Sequence, residues 1–179
     1  MNRGPSRPTL FKLRLPSRFT SRQTNDFLEF FCTATAIPEV RSNTIAVPGH
    51  EYMGVVREQP TAVMFGKPFT ITVISDPDYN VYKELRGWFD QTALNANQTT
   101  GRVQRMKYYE SFTEDMQLIK LEQHGNTIDR ALNVFGGDYK EVLTVDFINA
   151  YPIEISSVAL DTDQVDTMVK FNVSFTYET

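Results

Sequence analysis

A change of period between Lys67 and Asn95, in KPFTITVISDPDYNVYKELRGWFDQTALN, most narrows what this chain can fold into. Its first half alternates, with Phe69, Ile71 and Val73 on one face and Thr70, Thr72 and Ile74 on the other. A period of two rich in β-branched residues predicts a strand. At Asp76-Pro77-Asp78 the period changes. Asp76 is placed to cap a helix, and Pro77 suits a first helical position, where a missing N–H costs nothing. Val81, Tyr82, Leu85, Trp88, Phe89 and Thr92 then follow helical spacing, with Asn80, Lys83, Glu84, Arg86, Asp90 and Gln91 opposite. One strand therefore runs into one amphipathic helix, over about residues 78–94, that lies against a sheet. The rest of the pattern predicts strands, so the expected class is mainly β with one flanking helix.

The chain's 179 residues fit one domain with ample material for a core. A hydrophobic content of 41%, with 13 Phe, 8 Tyr and 1 Trp, is that of a folded protein. No apolar run approaches the roughly 18 residues that span a bilayer, so no membrane anchor is expected. The N-terminal stretch is basic but lacks the apolar core of a secretory signal, and synthesis in a cytosol is the expectation. The sequons at Asn97 and Asn172 then carry no sugar. Cys32, the single cysteine, reads as a small buried hydrophobe.

Charge is unevenly placed. Six of the 18 basic residues (Arg3, Arg7, Lys12, Arg14, Arg18 and Arg22) precede Asp26, and no acidic residue does. The remaining 12 face all 22 acids. An acidic body argues against a surface that grips nucleic acid, which needs clustered Lys and Arg. The basic N-terminus either docks on an acidic neighbour or is simply solvated.

Residues 1–8 are expected to form a flexible arm, followed by a strand over Thr9–Leu15 and a polar connection to Asn25. A second strand is predicted over Asp26–Ile37, ended by Pro38, and a third over 43–48. Residues 49–66 have weak strand character and predict a protruding loop or hairpin. Residues 95–112 show no period, and a loop of that length is usually functional or ordered by a partner. Met116–Glu122 returns to strand, while 124–138 stays ambiguous between turns and a short helix. Glu141–Ala150 predicts a strand stopped near Pro152, and Ile153–Val158 a short one. The last segment, Thr167–Tyr177, alternates most regularly, with Val169, Phe171, Val173, Phe175 and Tyr177 on one face.

No constellation for catalysis, metal or cofactor emerges. His50 and His124 lie far apart, without metal-ligand spacing. Gly66-Lys67 has the ending of a phosphate loop, but the upstream glycine is missing and Pro68 replaces the Ser or Thr. Gly136-Gly137 precedes a strand rather than opening a helix, and there is no GxSxG. Asp76 and Asp78 read better as helix-capping groups than as paired catalytic carboxylates. Asp161, Asp163 and Asp166 lack the glycine and distal Glu of a calcium loop. Arg102, Arg105, Lys107, Tyr108 and Tyr109 interleave bases with aromatics, which suits stacking on single-stranded nucleic acid or a contact between subunits. What remains is architecture. A sheet protein must manage its edges, and the C-terminal strand has one Lys at mid-strand and little other protection, which points to edges satisfied by neighbouring copies.

The order of the segments points further. Phe30 or Phe31 leads to Ala34-Thr35-Ala36-Ile37-Pro38, followed by Ile45–Gly49. Phe69–Asp76 then enters a helix carrying Tyr82 and Trp88-Phe89, a strand reaches Ala150-Tyr151-Pro152-Ile153, and the chain ends F-x-V-x-F-x-Y over Phe171–Tyr177. Over residues 9–179 this resembles the tail tube proteins of contractile-tailed bacteriophages, related to the tube proteins of type VI secretion and contractile bacteriocins. Residues 113–138 are longer than the family's usual pattern.

The resemblance implies a β-sandwich or barrel-like subunit forming a single tail tube domain over 9–179, built into hexameric rings that stack as a hollow tube. It implies a virion location, with the sheath, baseplate and tape-measure proteins as partners and DNA passing through the lumen without specific binding. Residues 43–66 would reach the next ring, with His50, Tyr52, Met53 and Arg57 as contact candidates. Arg102, Arg105, Tyr108 and Tyr109, together with the basic arm, would supply further contacts. The expected core comprises Phe69, Ile71, Val73, Tyr82, Leu85, Trp88, Phe89, Phe171, Val173 and Phe175. Two other readings stay open: a tube-like protein at one end of the tail, such as a baseplate junction or tube initiator, and a monomeric β-sandwich binding module. An enzyme is not expected.

Overall fold

The computed structural model describes residues 9–47, 56–94, 105–123, 139–158 and 168–179. The arm at 1–8, the ambiguous segment 124–138 and the acidic run Asp161, Asp163 and Asp166 lie outside them.

The strand and helix that dominate the sequence form as their periods require. β5 (Phe69–Ile74) buries Phe69, Ile71 and Val73. The Asp76 carboxylate accepts from the N–H groups of Asn80 and Val81, at 2.9 and 3.2 Å. α2 itself runs Asn80–Thr92, starting later than the sequence predicts. Tyr79, at φ 55, sits outside helical space, so residues 76–79 make a turn and Pro77 is not the first helical residue. Aspartate still caps the helix, reaching it across this turn. Val81, Leu85 and Trp88 are buried on one face, and the Trp88 indole N–H donates to the Phe112 carbonyl at 2.8 Å.

The expectation of a strand over Asp26–Ile37 is corrected. Its first half belongs to α1 (Arg22–Phe31), and only β2 (Cys32–Thr35) is extended. Ser21 caps α1, its hydroxyl accepting from the Thr24 N–H at 3.2 Å. Thr24, Phe27, Leu28 and Phe31 have helical spacing, and Leu28 is fully buried. The Asn25 carboxamide ties α1 to the preceding segment, accepting from Leu15 N–H at 2.9 Å and donating to Leu15 C=O at 3.2 Å. The single flanking helix of the sequence reading is therefore joined by α1, and by the one-turn α3 (Tyr109–Phe112).

The remaining strands are β1 (Phe11–Arg14), β3 (Val40–Val47), β4 (Arg57–Phe65), the two-residue pair β6 (Ala93–Leu94) and β7 (Arg105–Met106), β8 (Glu114–Gln123), β9 (Tyr139–Ile155) and β10 (Lys170–Thr176). β9 corrects a second expectation, because it runs unbroken through Pro152 where two strands were predicted. Residues 151–155 of β9 pair with β10 alone, and the register there slips at Ile153, beside the proline. A bulge with one partner strand is where a sheet tolerates a residue without an N–H.

The main sheet is open, with every described pairing antiparallel, in the order β1-β8-β9-β10-β5-β2. The C-terminal strand, β10, is not the open edge that the sequence predicts, because β9 and β5 pair with its two sides. β9 is the member common to both halves of the sheet. Tyr139–Ala150 pair with β8, and Tyr151–Ile155 with β10. The partner changes next to Asn149, which adopts φ 53. Strands that pass from one sheet portion to another at a bulge or bend turn the corners of folded-over sheets. Phe147, from the first part of β9, accordingly packs on Phe69 of β5 with ring centroids 4.4 Å apart. Leu13, Leu28, Phe69, Ile71, Val73, Val81, Leu85, Trp88, Met116, Phe147, Phe171, Val173 and Phe175 join in one core. Tyr82 is only partly buried, edge-on to Phe171, and Phe89 lies at its margin beneath the Arg86 guanidinium.

Candidate assembly surface

β3 and β4 form an antiparallel hairpin from Val40↔Phe65 to Val47↔Arg57, separate from the main sheet. Of the segment 49–66, expected as a loop or hairpin, Arg57–Phe65 form the nine-residue second strand of a hairpin whose first strand is Val40–Val47, and 49–55 lie outside the described residues. Every residue of β4 is exposed, and so is every residue of β3 except Val47. Both faces carry apolar side chains to solvent: Val40 is 65% exposed, Ile45 57% and Val63 62%, with Met64 and Phe65 beside them. A two-stranded ribbon covered on neither face is at best marginally stable alone. Exposed apolar patches of this kind are characteristic of interaction surfaces. Phe31 and Ile37, close in sequence to the hairpin's root, are exposed as well.

The hairpin's own bonds are local. Gly66 N–H donates to Glu39 C=O at 2.7 Å to close its open end, Thr61 Oγ1 donates to Asn43 C=O at 3.0 Å, and Thr44 Oγ1 to Glu58 Oε2 at 3.3 Å. β9 presents a second apolar stretch, with Tyr139, Val142, Leu143, Ile148 and Ile153 exposed. The sheet's outer strands, β1 and β2, have four residues each and an unpaired side in the described sheet.

Of the contact candidates read from the sequence, Arg57, Tyr108 and Tyr109 can be placed with their side chains. Arg57 begins β4 at the end of the hairpin remote from its root and is exposed. Tyr108 is 91% exposed. Tyr109 lies edge-on to Phe112 and Tyr151, and its hydroxyl reaches the Asn149 carbonyl at 3.5 Å. Desolvation, and then the nearby Glu178 carboxylate, push its pKa above the ordinary tyrosine value. Arg105 stands in β7, opposite Leu94. His50, Tyr52, Met53 and Arg102 lie outside the described residues. The structure therefore brings Arg57 to the hairpin, sets Tyr108 and Tyr109 at α3, and does not join the two groups.

Three of the early basic residues belong to the body rather than to an arm. Lys12 pairs with Glu29, Arg14 with Glu141 and Arg18 with Glu114, at 3.6, 3.9 and 3.4 Å. Exposed pairs of this kind contribute little stability, but they satisfy charge within the chain. Among the described residues no group of His, Cys, Asp and Glu could hold a metal ion. Sequence reasoning missed the apolar residues of the hairpin, Val40, Val63, Met64 and Phe65. The available signal was the run T-A-V-M-F before Gly66, which lacks the polar alternation of a half-buried strand.

The chain matches the family described as phage tail tube protein over residues 6–179. It belongs to the phage tail tube protein family. It is thus a structural protein of the tail tube type. No curated protein sequence matches it significantly. Several solved structures share its fold. A chain in the extended sheath–tube complex of an extracellular contractile injection system is 13% identical, with a TM-score of 0.57 over 98% of this chain and 88% of that one. A chain in the tube-terminating cap of the anti-feeding prophage is 13% identical, with a TM-score of 0.59 over 99% and 90%. A chain in the baseplate structure of the anti-feeding prophage is 8% identical, with a TM-score of 0.61 over 99% and 94%.

Proposed function

We propose that this chain is the repeating subunit of a hollow tail tube. Six copies close a ring, and rings stack inside a contractile sheath, between a baseplate and the far end of the tail. Residues 9–179 act as one tube domain, and residues 1–8 as a basic arm that reaches a neighbouring copy. The observation that carries this reading is the β3–β4 hairpin, apolar and uncovered on both faces. A second copy supplies the cover that the described residues do not. Residues of β1 and β2 on the open margins of the sheet offer further backbone groups to a neighbour. Family membership supports the same role.

In this reading the tube surrounds a tape-measure protein in the assembled virion and later conducts DNA without binding it specifically. The subunit is made in the host cytoplasm. An acidic body suits a DNA conduit, because a wall within about one Debye length, roughly 8 Å at physiological salt, repels phosphate with little screening. Acidic side chains are expected to outnumber basic ones on the lumen wall.

Negative-stain microscopy of the purified protein tests the proposal. Long tubes with a six-fold, axially open cross-section are expected. A second reading, a tube-end protein, draws support from the likeness to chains in the cap and terminator structures. It yields isolated rings that do not elongate alone. Monomers at every concentration, with no rings or tubes, overturn both readings in favour of a binding module.

A further inference from the structure

Among the described residues, β3 and β4 pack chiefly on each other and meet the main sheet at their open end. There the Tyr177 hydroxyl donates to the Gly66 carbonyl at 2.7 Å. Its ring is buried, edge-on to Phe147 with centroids 4.9 Å apart. The Lys67 ammonium stands 5.3 Å from the centroid of the same ring and donates to the Glu178 carbonyl at 3.4 Å. On the other side, the Glu178 carboxylate accepts from Asn149 Nδ2 at 2.8 Å. Glu178 N–H donates to Ile148 C=O at 2.9 Å, and Ile148 N–H to Thr179 C=O at 3.0 Å. Residues 177–179 thus grip the root of the hairpin with one hand and the bend of β9 with the other.

Gly66 shows how little play the root has. A Cβ added there would stand 3.1 Å from the Glu39 backbone nitrogen and 3.2 Å from the Glu39 Cβ. The bond from Gly66 N–H to Glu39 C=O holds the two together at 2.7 Å.

We propose that residues Tyr177–Thr179 form the joint that fixes the direction of the β3–β4 hairpin relative to the sheet, with Tyr177 as the positioning residue. The Tyr177 hydroxyl reaches the root of the hairpin from a ring locked in the core. Lys67 adds an exposed contact, which water weakens. Burial raises the pKa of the Tyr177 phenol above the ordinary tyrosine value, so it stays a neutral donor at physiological pH. This joint belongs to the single chain and holds whatever the hairpin docks against.

Spin labels at Gln59→Cys on β4 and Gln23→Cys on α1, in a Cys32→Ala background, report the angle in chains kept monomeric by gel filtration. Double electron–electron resonance should give a narrow distance distribution. Tyr177→Phe keeps the buried ring and removes only the hydroxyl, and the distribution should broaden. A control pair at Gln23→Cys and Gln91→Cys, on α1 and α2, should be unchanged. Amide exchange at Gly66 should accelerate about fivefold, the factor given by losing a hydrogen bond of about 1 kcal/mol, while β5 amides hold their rates. Gly66→Ala provides the second test, because its crowded Cβ should shift the mean hairpin distance. An unchanged hairpin distribution in the folded variants overturns the proposal, as does a broadening that the α1–α2 control shares equally. Tube formation plays no part in these readouts, so they stand or fall separately from the assembly reading.

Discussion

Leu85 and Cys32 are buried for different reasons, and each makes a measurable claim. Leu85 is fully buried at the centre of α2's inner face, where the helix meets the core. Leu85→Ala removes that packing and leaves a cavity, and should destabilise the fold by about 2–5 kcal/mol in urea denaturation. Cys32 ends α1 and starts β2, and is 8% exposed. Burial pushes its thiol from 9.0 to about 11. The folded state therefore holds its proton over a pH range in which the unfolded chain has released it. The resulting stability is complete below pH 9 and is lost as pH rises through 11, by about 3 kcal/mol at most. Denaturation curves between pH 8 and 11 should show this loss in the native protein, and Cys32→Ala should lack that part of it. The same burial predicts that the thiol resists alkylation at pH 8 until the chain is unfolded.

At the scale of elements, the hairpin separates assembly from folding. Val63 touches water on β4 and belongs to no core cluster. Val63→Glu should change monomer stability by less than about 0.5 kcal/mol, yet stop the formation of tubes or rings seen by microscopy. A variant that assembles normally removes the hairpin from the interface. Which elements could be read from the sequence follows from how singly determined each one is. β5, α2 and β10 each bury their large apolar side chains on one face, so Phe69, Ile71 and Val73, then Val81, Leu85 and Trp88, then Phe171, Val173 and Phe175 print their periods directly on the chain. α1 was hidden because Phe27, Leu28, Phe30 and Phe31 crowd into a stretch that an apolar strand would also produce. Its cap at Ser21 was the distinguishing signal. β9 was divided because Pro152 ordinarily ends a strand, and only tertiary pairing reveals a bulge that accommodates it. β4 has no buried face within its own chain, so no period marks it. The candidate site was therefore legible as a region, through the break in pattern after Pro48, but not as residues. Val40, Val63, Met64 and Phe65 acquire their meaning only once the hairpin is seen standing clear of the sheet.

For the whole molecule, assembly should leave the interior unchanged. Trp88, the only tryptophan, is 1% exposed, stacked on Phe19 at 5.0 Å and bonded to the Phe112 carbonyl. Its emission should have the same maximum in monomer and tube, while amides of β3 and β4 gain protection from exchange. A red or blue shift on assembly would instead place α2 at the interface. Within the subunit, β9 has a consequence of its own. It is the strand through which the β1–β8 half and the β10–β5–β2 half are bonded into one sheet. It changes sides at Asn149, whose N–H is held by Asp115 and whose carboxamide is held by Glu178. The same two halves also close on one another through Phe147 and Phe69 in the shared core. Load placed on either half of such a subunit therefore has two routes to the other, along one continuous strand and across the packed interior.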